Sequence, residues 1–149
     1  MKIRTKTSIT KHHPVSHGGR FSGGNQQPDV LDFSSNTSPA GMPPSVKSTM
    51  KKRLDGMEHY PDTDSLCLIS SLKKYTGLSD SNIVVGNGAI EILYNFCSAF
   101  LSKKRVLIPT PTFSEYESAA KLADCKFRFF KTMNLSENLD SFILDIPKN

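Results

Sequence analysis

The sequence predicts an α/β fold with a largely parallel sheet. From about residue 64 onward, segments with helical periodicity alternate with short β-branched or aromatic runs. Two of these runs lead through glycine, proline or threonine turns straight into a helix, as strands of a parallel sheet do. The length of 149 residues, of which 37% are hydrophobic, is enough for one ordinary globular domain.

The amino-terminal third has little regular patterning before its first helix. Residues 1–28 are polar and without periodicity, which predicts an arm or loop. Leu31–Phe33 is compatible with a short strand, and residues 34–44 are dense in turn formers. A helix is predicted from Pro44 to about Leu54, because proline is favoured in a first helical turn and apolar residues then recur every fourth position.

The rest of the chain alternates between helices and strands. Residues 58–65 read as an extended link, at whose end Asp64 or Ser65 is placed to cap a helix that stops at Gly77. Two further helices are predicted over residues 89–101 and 114–124. Four short runs are predicted to be strands: residues 83–85, 105–109, 126–131 and 142–146.

The charge distribution argues against a nucleic-acid partner. The formal net charge is +5, but the excess lies ahead of the first acidic residue, Asp29. The five basic residues in that stretch are Lys2, Arg4, Lys6, Lys11 and Arg20. The remaining 14 basic residues equal the 14 acids, so the body is neutral, whereas a DNA-reading domain needs a basic face. A membrane partner is not expected either, because no apolar run is long enough to span a bilayer or to serve as a signal peptide.

Cysteine usage indicates reduced thiols. Cys67, Cys97 and Cys125 are odd in number and widely spaced, which is neither a disulfide framework nor a zinc-binding pattern. We therefore expect free thiols in a reducing cytoplasm and no metal site.

The clearest candidate site is the strand–glycine turn–helix junction at residues 83–94. Two glycines allow a sharp turn, and the following helix offers the free amides of Gly88, Ala89 and Ile90 to an anion such as phosphate. The spacing is neither that of a P-loop nor that of a dinucleotide-binding loop, so a turn used only for packing remains an alternative.

Three further segments carry side chains of interest, each with a plainer alternative. Phe113, after the second predicted strand, can stack on a flat ring or belong to the core. His17, in a glycine-rich stretch, and Asn36, in a turn, can bind an anionic substrate or be ordinary loop residues. Tyr60 precedes a proline, which holds the Tyr60 backbone in an extended conformation. The nearby pair Asp62 and Asp64 does not predict a metal site, because no third ligand lies close in the sequence.

Together these segments resemble a known enzyme family. The ordered set HGG, LDFSSN, HYPD, VVGNGAIEIL and PTFSEY is similar to that of fold type I pyridoxal-phosphate enzymes of the aminotransferase class I/II superfamily. The HGG and DFS segments look most like those of threonine-phosphate decarboxylases of cobalamin biosynthesis, and histidinol-phosphate aminotransferases are the alternative. The resemblance implies the amino-terminal part of that family's large domain, with a mixed, mostly parallel sheet, flanking helices and a preceding extended arm.

The resemblance also implies roles for individual residues. The amides at 88–90 would hold the phosphate of pyridoxal phosphate, and Phe113 would stack on its pyridine ring. Tyr60 would reach the cofactor phosphate of a neighbouring subunit in a homodimer, and Asn149 would bind the ring hydroxyl. His17 would lie near the phosphate of a small phosphorylated amino acid and Asn36 near its carboxylate.

Departures from the family pattern set further expectations. Ala89 and Ile90 replace polar residues, and Ser38 replaces a second asparagine. We expect residues 1–63 to form an arm and small-domain segment, and residues 64–149 the first half of a truncated cofactor-binding domain. No catalytic residue is assigned, because the Schiff-base lysine is expected in a missing half. The chain alone is then expected to be inactive. The alternative from another class is a non-catalytic remnant, or one half of a split protein that needs a partner chain.

Overall fold

The computed structural model describes residues 5–15, 17–19 and 31–148, which fall into two compact units. The first unit combines residues up to Val15 with those from Val84 onward, and the second covers residues 16–83.

The second unit is built from helices. Helix α2 spans Pro44–Lys52 and is followed by a 3₁₀ turn at Leu54–Glu58. Helix α3 spans Leu66–Thr76, and a second 3₁₀ turn covers Asp80–Asn82. Both predicted helices are therefore confirmed. Gly77 ends α3 in the left-handed conformation, with φ of 73°, as expected of a C-cap glycine.

The start of α3 is capped by a different residue from the two predicted. Ser65 is the boundary residue, but its side chain makes no capping hydrogen bond. The Asp62 carboxylate does so instead, accepting from the Leu66 N–H at 2.6 Å and from the Asp64 N–H at 3.2 Å. Asp62 thus closes the turn that follows Pro61 and satisfies a free amide of the first helical turn.

The first unit contains a β–α–β arrangement preceded by a helix. Helix α4 spans Ala89–Phe100, strand β1 Arg105–Thr110, helix α5 Glu115–Leu122 and strand β2 Lys126–Lys131. The two strands pair in parallel with Arg105 opposite Lys126 and Thr110 opposite Lys131. The predicted α/β class with parallel pairing is confirmed.

The core of this unit lies between α4 and α5. Cys97, Ala119 and Ala123 are buried together, and Leu93 and Leu101 pack against them. The small alanines let the two helices approach closely, because no larger side chain keeps them apart.

All three cysteines are free thiols, with Cys67 exposed and Cys97 buried. Burial raises the pKa of the Cys97 thiol above its ordinary value.

The prediction of a strand at residues 142–146 is wrong. Helix α6 spans Leu139–Leu144 instead, after a 3₁₀ turn at Ser136–Asn138. Phe142 packs edge-on against Phe130 of β2, with ring centroids 5.4 Å apart. Arg128 of β2 joins the end of α6 through an ion pair of 2.7 Å with the Asp145 carboxylate. The apolar residues follow a helical spacing, and this outweighs their β propensity.

Two other predicted strands lack the pairing that defines a strand. Ile83 is extended, with φ of −119° and ψ of 124°, but residues 83–85 pair with no strand in the described part of the chain. Residues 31–33 are likewise irregular.

Within the predicted arm, Thr7–Thr10 forms a single helical turn, α1. Beside this turn, Lys6 Nζ lies 3.5 Å from the Asp124 carboxylate. Among the described helices, none is both long and apolar enough to cross a membrane.

Candidate functional site

The junction before α4 has the features of an anion site. Gly88 occupies the N-cap position with φ of 85°, a left-handed value that favours glycine, and a Cβ there would meet open space. The next amides, those of Ala89 and Ile90, belong to the first helical turn and have no intrahelical acceptor. They point along the positive end of the helix dipole, which attracts anions.

The Gly88 amide itself is engaged within the loop. It donates to the Gly86 carbonyl at 2.8 Å, so an anion at this end would meet the Ala89 and Ile90 amides first. The Glu91 carboxylate reaches back to the Asn87 backbone N–H and to Asn87 Nδ2, the latter at 3.0 Å. This bond holds the glycine loop in shape and occupies the two donors of Asn87.

The Phe113 segment lies at the same end of the unit as this junction. Tyr94, in the second turn of α4, is hydrogen-bonded to Glu115, two residues after Phe113, which brings the first half of α4 next to this segment. Phe113 follows the carboxyl end of β1 and remains about half exposed. Its ring meets Tyr116 edge to face, with centroids 6.0 Å apart. Ligands of open α/β sheets bind at this edge.

A buried polar cluster joins α4 to the segment that carries Phe113, and the sequence analysis did not find it. Glu115, only 4% exposed, accepts a hydrogen bond from the Tyr94 hydroxyl at 2.5 Å. Ser118 Oγ lies 2.8 Å from the same hydroxyl. Burial raises the pKa of Tyr94 above its ordinary value, and the bond to Glu115 raises it further, whereas Ser118 lowers it. No sequence signal links Tyr94 to residues more than 20 positions away.

The second unit brings two of the predicted segments together. The Gly19 N–H donates to Ser34 Oγ at 2.8 Å, which joins the HGG segment to the DFSSN segment. Asp32 in turn accepts from the Ser34 N–H at 2.8 Å and from the Ser35 hydroxyl at 2.9 Å. Gly18 lies so close to Ser34 that a Cβ at this position would overlap it.

The remaining predicted site residues are placed as follows. His17, Asn36 and Tyr60 belong to the second unit, and all three are exposed. Asn149 lies outside the described residues. Asp62 is used as a helix cap, and no cluster of potential metal ligands occurs within the part of the chain that the structure describes.

Comparison with known proteins identifies the family. The model of the family "Aminotransferase class I and II" matches residues 28–147. The chain therefore belongs to the aminotransferase class I and II family.

Two enzyme names recur among the relatives of this chain. The chain is 39% identical over 99 residues to the threonine-phosphate decarboxylase of Salmonella typhimurium, covering 66% of this chain and 27% of that protein. It is 34% identical over 128 residues to the histidinol-phosphate aminotransferase of Methanococcus aeolicus, covering 82% of this chain and 34% of that one. The chain thus spans about a third of the length of these relatives.

A solved structure supports the same fold. The crystal structure of L-threonine-O-3-phosphate decarboxylase from Porphyromonas gingivalis superposes with a TM-score of 0.54 at 28% identity. The superposition covers 58% of this chain and 28% of that one. The resemblance predicted from the sequence segments, to this family and to its decarboxylase members, is confirmed.

Proposed function

We propose that this chain forms the amino-terminal part of a pyridoxal-phosphate-dependent enzyme of cobalamin biosynthesis that converts threonine O-3-phosphate to aminopropanol phosphate and CO₂. The observation that carries the proposal is the placement of free first-turn amides of α4 at the same end of the unit as the Phe113 ring. A phosphate and an aromatic ring are the two parts of the cofactor that such a pair would hold.

The residues present fit the cofactor phosphate. The Ala89 and Ile90 amides supply donors, the left-handed Gly88 keeps the approach open, and the Asn87–Glu91 bond keeps the loop in shape. The Gly88 amide joins them if its bond to Gly86 opens. Because residues 89 and 90 have no polar side chains, backbone donors must hold the phosphate on their own.

Each remaining residue would have a binding or orienting role. Phe113 would support the ring face, and Asn149 would bind the ring hydroxyl. Tyr60 would reach the phosphate of a second subunit, so the active form would be a homodimer. When bound, pyridoxal phosphate supplies an electron sink for the electrons released at the substrate Cα.

The substrate side would be formed by the segment joined through Gly19 and Ser34. His17 would face the substrate phosphate and Asn36 its carboxylate, and both residues are exposed. Orientation of the carboxylate relative to the ring selects decarboxylation over proton transfer at Cα. The alternative activity, transamination of histidinol phosphate, is favoured by the recurrence of that name among the relatives.

The same proposal extends to the organisation of the protein. Residues 1–63 would form an arm and small-domain segment, and residues 64–149 the first half of the cofactor-binding domain. The enzyme would act in the cytoplasm on a small phosphorylated amino acid, and the 149-residue chain alone would be inactive.

The decisive experiment assays the product of the complete reading frame that contains this sequence. Release of aminopropanol phosphate from threonine O-3-phosphate supports the proposal. Transamination of histidinol phosphate with 2-oxoglutarate, and no decarboxylation, supports the alternative. Turnover of neither substrate contradicts both.

A matched pair of variants tests the site within that enzyme. Phe113→Leu is expected to weaken cofactor binding by about fivefold, because a stacked aromatic contributes this order of free energy. Phe129→Leu is the control, since Phe129 is exposed to a similar extent on β2. Equal effects of the two substitutions would remove the support for ring stacking.

A further inference from the structure

We propose that the Tyr94–Glu115–Ser118 cluster is a positioning lock, which sets the distance between the phosphate-binding amides of α4 and the ring-binding Phe113. The inference rests on the cofactor site proposed above and adds three residues to it. They would contact neither cofactor nor substrate.

The cluster lies between the two candidate binding elements. Tyr94 lies in the second turn of α4, five residues after Ala89, a rise of about 7.5 Å along the helix axis. Glu115 is the first residue of α5, two positions after Phe113. The 2.5 Å bond between their side chains therefore joins the two candidate binding elements directly.

The available protons determine the direction of the hydrogen bonds in the cluster. The Tyr94 hydroxyl has one proton, and the Glu115 carboxylate can only accept, so the proton points to Glu115. The Ser118 hydroxyl then donates to the Tyr94 oxygen over 2.8 Å. Both hydrogen-bonding functions of the phenol are used, which restricts its rotation and fixes the geometry of the cluster.

Breaking the hydrogen bond between Tyr94 and Glu115 is costly. Glu115 is almost fully buried, and a buried carboxylate that loses a donor is strongly disfavoured. The two elements therefore separate only at considerable cost. Phe113 itself is about half exposed, and its ring packs edge to face on that of Tyr116.

The test measures the affinity of the 149-residue chain for two ligands, one that would contact both binding elements and one that would contact only the amides of α4. Pyridoxine 5′-phosphate contains the ring and the phosphate but no aldehyde, so it cannot react with lysines. Inorganic phosphate contacts the amides alone. Tyr94→Phe is expected to weaken pyridoxine 5′-phosphate binding about fivefold and to change phosphate binding less than about twofold, measured by calorimetry.

Two controls separate positioning from general stability. Cys125→Ala removes a side chain that packs on the same core and bonds the Leu101 carbonyl, so it destabilises the unit without touching the lock. Tyr75→Phe makes the same chemical change at an exposed phenol. Neither variant should alter the ratio of the two affinities.

A double-mutant cycle with Phe113→Ala gives a second readout. If Tyr94 acts by placing the Phe113 ring, its substitution has no further effect on pyridoxine 5′-phosphate binding once that ring is removed. Additive effects, or equal weakening of both ligands by Tyr94→Phe, would overturn the inference.

Hydrogen exchange keeps this inference distinct from the proposed function. Without any ligand, Tyr94→Phe should accelerate amide exchange in residues 110–118 about tenfold relative to Cys125→Ala. If wild-type chain prefers pyridoxine 5′-phosphate no more than inorganic phosphate, the proposed cofactor site fails in this chain. Accelerated exchange then still supports the lock, whereas equal exchange in the two variants overturns it.

Discussion

Replacing Asp62 tests whether one carboxylate determines where helix α3 begins. Its Oδ2 accepts from the Leu66 N–H at 2.6 Å and its Oδ1 from the Asp64 N–H at 3.2 Å. Loss of such a cap costs about 1 kcal/mol, and loss of a negative charge at a helix start costs about 0.5 kcal/mol more. We therefore expect Asp62→Ala to destabilise α3 by about 1.5 kcal/mol, or roughly tenfold in its opening equilibrium.

Two companion variants separate the contributions. Asp62→Asn keeps one acceptor oxygen for the Leu66 N–H but loses the charge and the acceptor of the Asp64 N–H, so about 0.5–1 kcal/mol should be lost. Asp64→Ala removes the same charge two positions further on, from a side chain with no described bond to the helix, and should cost less than about 0.5 kcal/mol.

The assay is amide hydrogen exchange of the first turns of α3, which reports local opening rather than global unfolding. Salt should reduce the difference between the Asn variant and the wild type, because the lost charge accounts for part of it. Exchange in Asp62→Ala that lies within twofold of Asp64→Ala would refute the assignment of Asp62 as the cap.

Three further predictions concern the first unit. Ala119→Leu should destabilise it by about 1–3 kcal/mol in urea unfolding, because Ala119 is 1% exposed between α4 and α5; an unchanged midpoint would show that the core has room. The pKa values of Cys97 and Tyr94 are both raised on folding, so the native state favours the neutral form of each side chain. The free energy of unfolding should therefore fall as pH rises above about 9 and again above about 10. A flat profile from pH 8 to 11 would contradict this. Arg128→Met should cost only about 0.5–1 kcal/mol, because its ion pair with Asp145 is half exposed, and a 1 M salt control should remove most of the difference.

Local patterns were the reliable part of the sequence interpretation. Helices α2, α3, α4 and α5 and strands β1 and β2 all follow from local spacing and composition, and proline or glycine marks the start of α2 and α4 and the end of α3. The error at residues 142–146 was of the same local kind. Leu139, Phe142 and Ile143 have a helical spacing, but Leu139 lies upstream of the run 142–146, and within that run the spacing is not visible.

Features that depend on distant partners were not predictable in this way. Residues 83–85 have the composition of a strand, but a strand also needs a second strand to pair with, and the local sequence does not identify one. The bond between Tyr94 and Glu115 joins positions 21 apart, and neither residue type indicates it. The choice of Asp62 over Asp64 and Ser65 as the cap depends on the turn geometry, since all three are suitable side chains within four positions.

The parallel strand pair has a consequence for the order of folding. Every residue of β1 meets a residue of β2 only 21 positions later, with α5 between them. Closing so short a loop costs little chain entropy, and contacts of low contact order form early. The stretch from residue 105 to residue 131 contains the whole strand pair and the helix between the strands, so this pairing needs no residue from elsewhere in the chain.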